Sequence, residues 1–138
     1  MSSNEVIGKV KEFIMGGHAS FTIKQEAVGD KPEFQYKYTV LSNKERNCWF
    51  IYLESSGSSI YQGYFTKDLE FKLGKKGNKN YNKQAVNGLM WILKRSNNLP
   101  SAIHVYHHGK CSVCGRKLTD AESLMYGIGP TCRQKVFG

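Results

Sequence analysis

The residues of this sequence whose types and spacing could do chemistry lie near its C-terminal end: Cys111-Ser112-Val113-Cys114, then Cys132, with His107-His108 just ahead. Structural zinc takes four soft or borderline ligands in a tetrahedron, usually as two ligand pairs. Cys-x2-Cys is the tight pair, because its turn lets both sulfurs face one point. Gly115, directly after it, lets the backbone turn under a metal without a Cβ clash. The second pair then draws on Cys132 and a histidine. His107 and His108 both stand close enough to Cys111. Alternation along the preceding segment sends them to opposite faces without choosing between them. A disulfide among Cys111, Cys114 and Cys132 would leave one of them unpaired. Cys48 sits in an apolar run and reads as a small buried residue.

The elements that must hold these ligands can be read around them. Thr119-Asp120-Ala121-Glu122 has the form of a capping box, so a short helix should start after Thr119 and stop near Gly127. Gly129-Pro130 resembles the start of a second helix, with proline at its first position. Cys132 would then lie in the first turn, where the helix dipole favours a thiolate. A cysteine knuckle plus a ligand in the first turn of a helix is the plan of treble-clef zinc modules. Catalytic zinc needs an open position and a nearby acid or base. Asp120 and Glu122 are explained by the helix start, and the deaminase pattern, with a glutamate two residues after the ligand histidine, is absent. The reading is one structural zinc ion and no catalytic residue.

Upstream, Val6, Ile7, Val10, Phe13 and Ile14 recur at helical spacing, which predicts an amphipathic helix over residues 4–15. Strands are expected at Ser20–Ala27, Phe34–Leu41, Cys48–Glu54 and Ile60–Phe65, with a short fifth over residues 69–73, and turn residues separate them. The Cys48–Leu53 run is apolar on both faces and should be central. Val86, Leu89, Met90 and Leu93 predict a second helix over about residues 82–95, and Ala102–Tyr106 a last strand leading to the cysteines. The expected class is α+β: a mainly antiparallel sheet, two packed helices and a treble-clef-like zinc module. The expected division is an α+β domain at 1–100 and a module at 101–138 packed on it.

With 138 residues and 40% hydrophobic residues, the chain can build a real core. No window is apolar enough to span a membrane, and the first residues lack the apolar stretch of a signal peptide. A cytosolic setting, where thiols stay reduced, is expected. The net charge of +9 is concentrated: residues 71–119 carry ten basic and no acidic residues, and the rest of the chain sums to −1. Such polarity attracts a polyanion, and Lys75, Lys76, Lys79, Lys83, Arg95, Arg116 and Lys117 are the expected phosphate contacts. Tyr36, Tyr38, Phe50, Tyr52, Tyr61 and Tyr64 offer faces for unpaired bases, although alternating strand aromatics are more often core. Gly74-Lys75-Lys76-Gly77 lacks the ending of a P-loop, and Gly127-Ile128-Gly129 lacks the third glycine of a dinucleotide fingerprint.

Taken together, Cys-x2-Cys-Gly-Arg-x-Leu-Thr, Glu122-Ser123 and Gly-x-Gly-Pro-x-Cys resemble the C-terminal motif of a family of small uncharacterised proteins common in bacteriophage genomes. The resemblance covers residues 107–132 and continues upstream in Gly17–Thr22, Phe34–Tyr38 and the Trp49 strand. In that pattern a His-x-Gly-Arg/Lys segment leads into the first cysteine, which implies His107 as the fourth ligand, matching Gly109-Lys110. It further implies a phage origin and a zinc-bearing domain. The expected function is a non-enzymatic phage protein that binds DNA or RNA, or a nucleic-acid-bound machine, in the host cytoplasm. The alternative is a protein-binding module that inhibits or redirects a host or defence protein.

Overall fold

A computed structural model of the chain describes residues 4–73, 81–95 and 98–137. Its elements run α1 (Val10–Ile14), β1 (His18–Gln25), β2 (Phe34–Asn43), β3 (Cys48–Ser55), β4 (Ser58–Thr66), β5 (Phe71–Lys72), α2 (Lys83–Lys94), β6 (Ile103–His107), α3 (Ala121–Tyr126) and α4 (Pro130–Phe137). The six strands form one antiparallel sheet in the order β5-β4-β3-β2-β1-β6. The fold is therefore α+β, as the sequence implied, and the doubly apolar β3 is interior.

One face of the sheet builds the core. Ala19, Phe21 and Ile23 of β1, Tyr38 and Val40 of β2, Ile51 and Leu53 of β3, Phe65 of β4 and Val105 of β6 are all buried. Alternation along each strand aims them to the same side. Over them lies α2, whose Ala85, Val86, Leu89, Met90, Ile92 and Leu93 form a continuous buried stripe. Each buried aliphatic side chain of this kind contributes about 1.5–3 kcal/mol. The Asn82 side chain caps α2 by accepting from the Ala85 amide at 3.0 Å. The Tyr38 hydroxyl donates to the Ala85 carbonyl at 2.7 Å, and burial pushes that hydroxyl well above the usual tyrosine range.

The first helix is shorter than its periodicity predicts. Gly8 and Lys9 both take left-handed backbone conformations, with φ of 73° and 54°, so no helix can run through them. The residues before them are extended instead. Val6 donates to the Val105 carbonyl at 2.8 Å, His107 donates to the Asn4 carbonyl at 2.9 Å, and Glu5 bridges Tyr106. Residues 4–6 thus lie along the outer edge of β6. On its inner side β6 pairs with β1 from Phe21↔His107 to Gln25↔Ile103. The strand that opens the cysteine module therefore belongs to the same sheet as residues 18–72. One apolar core also runs on through Cys111, Leu118, Ile128 and Cys132. Among the described residues, no helix is long and apolar enough to cross a membrane.

Candidate metal centre

Beyond β6 the backbone folds into a tight knuckle. Leu118 donates to the Gly109 carbonyl at 2.8 Å and Cys111 to the Arg116 carbonyl at 2.8 Å, while Lys110 and Lys117 face each other across the bridge. Gly115, at φ 79°, makes the turn, and its amide donates to the Cys111 carbonyl at 2.9 Å. The sequence expectation for this glycine is met.

The next two helices return the chain to the knuckle. α3 is capped by Asp120, one residue later than the capping box implied. Asp120 accepts from the Ser123 amide at 3.0 Å and from the Ser123 hydroxyl at 2.6 Å. These bonds hold its carboxyl below the usual carboxylate range. Gly127 closes α3 in a left-handed conformation, and its carbonyl accepts from the Ser112 amide at 3.0 Å. Arg133 of α4 reaches back, donating to the Ser123 hydroxyl at 2.7 Å and to the Ile128 carbonyl at 2.9 Å. The Asp120–Ser123–Arg133 chain so fixes α3 against α4. Pro130 opens α4 and Cys132 sits in its first turn, as the sequence predicts.

This scaffold brings the sulfurs of Cys111, Cys114 and Cys132 within 4.8 Å of one another, close enough to share a metal ion. Cys111 and Cys132 are buried and Cys114 is exposed. Burial raises the pKa of the Cys111 thiol. Hydrogen bonds to its sulfur from the Gly129, Cys114 and Val113 amides outweigh that effect and hold it below its ordinary value. Burial, followed by the neighbouring thiols, pushes Cys132 up to about 11. Three crowded sulfurs cannot all ionise by themselves, and a cation among them reverses that logic. The donor set fits a thiophilic metal.

Neither histidine is part of this cluster. The His107 ring is buried, donating from Nε2 to the Leu124 carbonyl at 2.7 Å and accepting at Nδ1 from the Gly109 amide at 2.9 Å. Both ring nitrogens are thereby used, and no lone pair is left for a metal. The ligand role implied by the resemblance is corrected here: His107 is a buried tie between β6 and α3. Burial lowers its pKa, against the opposing pull of the Leu124 carbonyl. His108 faces the other side of the sheet, with Nε2 at 3.0 Å from the Thr22 hydroxyl.

The basic residues separate into groups. Arg116 and Lys117 line the same recess as the three cysteines, and Lys135 joins them there. Sequence reasoning missed Lys135. The available signal was its spacing of three from Cys132, which puts both on one side of α4. Lys83 opens α2, and Arg95 follows its last turn, with its guanidinium 5.1 Å from the centre of the Trp91 ring. The length of a twelve-residue helix, about 18 Å, separates these two. Lys75, Lys76 and Lys79 lie outside the described residues.

Compared with known proteins, residues 103–137 match the model of a family described as a family of unknown function (DUF6011), and the match covers β6 and the whole cysteine module, about a quarter of the chain. No curated protein and no solved structure matches the chain.

Proposed function

We propose that this chain is a non-enzymatic bacteriophage protein that binds nucleic acid, or a nucleic-acid-bound machine, in the host cytoplasm, through basic residues grouped beside a structural zinc site. The observation that carries the reading is the recess in which Arg116, Lys117 and Lys135 stand beside Cys111, Cys114 and Cys132. It belongs to a sequence whose positive excess is confined to residues 71–119.

Zinc is the metal that suits three thiolates in a reducing compartment. Zinc–sulfur bonds of ~2.3 Å put tetrahedral sulfurs about 3.8 Å apart, which agrees with three sulfurs all within 4.8 Å. Bound there, zinc would tie the knuckle to α4 and so fold the tail. A structural role is favoured because Asp120, the carboxylate lining the recess among the described residues, already accepts two hydrogen bonds from Ser123. Those bonds hold its pKa down and so make it a weak general base. Zinc with three thiolates carries a net charge of −1, which Arg116, Lys117 and Lys135 outweigh.

The test is the salt dependence of binding to 20-mer DNA and RNA oligonucleotides. Log affinity should fall against log salt with a slope of about −0.7 to −0.9 for each phosphate contacted. Replacing Arg116, Lys117 and Lys135 together with glutamine should flatten that slope without loss of metal. Affinity no tighter than roughly 10⁻⁴ M at physiological salt overturns the reading. Tight, salt-tolerant capture of one host protein, unaffected by nuclease, would replace it with the protein-binding alternative.

A further inference from the structure

The second face of the sheet carries a cluster of aromatic rings. Where α1, α2 and α3 bond to the sheet through the Met15, Ala85 and Leu124 carbonyls, the partners are Trp49, Tyr38 and His107 on the core face. On the opposite face, Phe50 and Tyr52 of β3 stand beside Tyr61 and Tyr64 of β4. Ring centroids are 5.5 Å apart for Tyr52–Tyr61, 6.0 Å for Phe50–Tyr61 and 6.3 Å for Phe50–Tyr64. All four are partly exposed.

An irregularity in the ladder makes this cluster. Tyr61 and Tyr64 are three residues apart, and strict alternation would send them to opposite faces. The β3–β4 register steps from Ile51↔Gly63 to Tyr52↔Tyr61, leaving Gln62 as an extra residue. The bulge re-phases the strand, so that Tyr64 faces Phe50 while Tyr61 faces Tyr52. Gln62 is buried, and its side-chain oxygen accepts from the Asn82 amide at 2.7 Å. The residue that brings the four rings together is therefore locked to the N-terminus of α2.

Cations stand at the margin of the rings. Lys37, Arg46 and Lys72 are exposed, and among the described residues none of them is in an ion pair. Lys72 is opposite Tyr64 in the ladder. Burial raises the Tyr61 hydroxyl above its ordinary pKa, as do Tyr52, Cys48 and Tyr64, while the nearby Arg46 charge works against them. The one carboxylate of β3, Glu54, is held by the Thr39 and Ser59 hydroxyls at 2.8 and 2.7 Å. Partly exposed rings with cations at their margin combine the two elements that unpaired bases and their phosphates require.

We infer that this face is a stacking platform for single-stranded nucleic acid, with Tyr52 and Tyr61 taking bases and Lys37, Arg46 and Lys72 taking phosphates. The inference rests on the nucleic-acid reading above and adds to it the kind of strand and a second surface.

Fluorescence anisotropy with a labelled 20-nucleotide single strand and its duplex tests it. The variants are Tyr52→Leu, Tyr61→Leu, their Phe counterparts, and the Arg116/Lys117/Lys135→Gln triple. Leucine keeps apolar bulk on the sheet but has no ring face, and phenylalanine keeps the face. Each Leu variant should bind the single strand about 5- to 150-fold more weakly, with duplex binding and salt slope unchanged and the Phe variants close to wild type. Leu variants that bind single strands as wild type does overturn the platform. If the triple then still flattens the salt slope, the nucleic-acid reading stands without it. Loss confined to the Leu variants, with the triple silent, supports the platform and removes the cysteine recess as a contact. A dimer that the Leu variants dissociate, with oligonucleotide binding untouched, assigns the face to a second copy of the chain and also overturns the platform.

Discussion

The contact between Gly127 and Phe13 joins the cysteine module to the core, and its strength can be worked from the structure. Gly127 has φ 70°, and a Cβ built on it would lie 2.5 Å from two carbons of the Phe13 ring and 3.4 Å from His107 Cδ2. Phe13 is fully buried, so its ring has nowhere to retreat. Gly127→Ala thus meets two penalties. A left-handed backbone on a residue with a Cβ costs about 1–2 kcal/mol, and forcing a methyl into a packed interior costs about 1–3 kcal/mol. The total is about 2–5 kcal/mol, or roughly 6–20 °C in Tm for a chain of this size. Gly109→Ala isolates the first penalty, because Gly109 has φ 82° with nothing within 4 Å of its Cβ position. It should cost about 1–2 kcal/mol. Urea unfolding of both variants and wild type is the assay. Adding Phe13→Leu to Gly127→Ala should give a non-additive cycle of about 0.5–3 kcal/mol, since the smaller side chain makes room. Equal losses for the two glycine variants, or an additive cycle, would show that the module does not press on Phe13.

Elemental analysis should find one zinc per chain, reduced to a fraction by Cys114→Ser or Cys132→Ser; clearly less than one equivalent of any metal in wild type sinks the metal centre. Such sites bind zinc with on the order of 10–16 kcal/mol, so a strong chelator should unfold the tail. His107→Gln should keep that metal equivalent; its loss would restore the ring as a ligand. Because burial lowers the folded pKa of His107, the unfolded chain takes the proton first, and wild-type stability should fall as pH drops below about 6.5. His107→Gln should flatten that limb in matched urea titrations, and parallel curves would refute the role given to the ring. Asp120→Ala, which removes the α3 cap, should cost about 0.5–2 kcal/mol in the same assay.

The elements that ordinary periodicity governs were legible in the sequence. The four long strands, α2, and α4 with its proline start are local patterns, and each lies within a few residues of its expected place. Two departures came chiefly from partners distant in sequence. Residues 4–7 carry a helical spacing of apolar side chains, yet their backbone pairs with Tyr106 and Val105, far along the chain. His107 stands at metal-ligand spacing, but the Leu124 carbonyl and Gly109 amide meet its two nitrogens first. The split of the aromatics between faces was equally hidden. Tyr36 and Tyr38 stay on the helix side, with Tyr36 donating to Gln84 of α2 at 2.8 Å. Tyr61 and Tyr64 share the opposite face through a bulge at Gln62, for which Gly63, a glycine inside a strand run with φ 135°, was the available signal.

The pairing of β6 with β1 also sets a clock on biosynthesis. The edge of β1 that β6 will cover leaves the ribosome 82 residues ahead of His107. At about 5–20 residues per second, that edge waits roughly 4–16 s for its partner. Through that interval β1, paired with β2 on its other side, is an edge strand carrying Phe21 and Ile23, open to the same edge of a neighbouring nascent chain. Thr22 and Lys24 alternate with those apolar residues, and the lysine charge opposes such pairing until the last strand arrives.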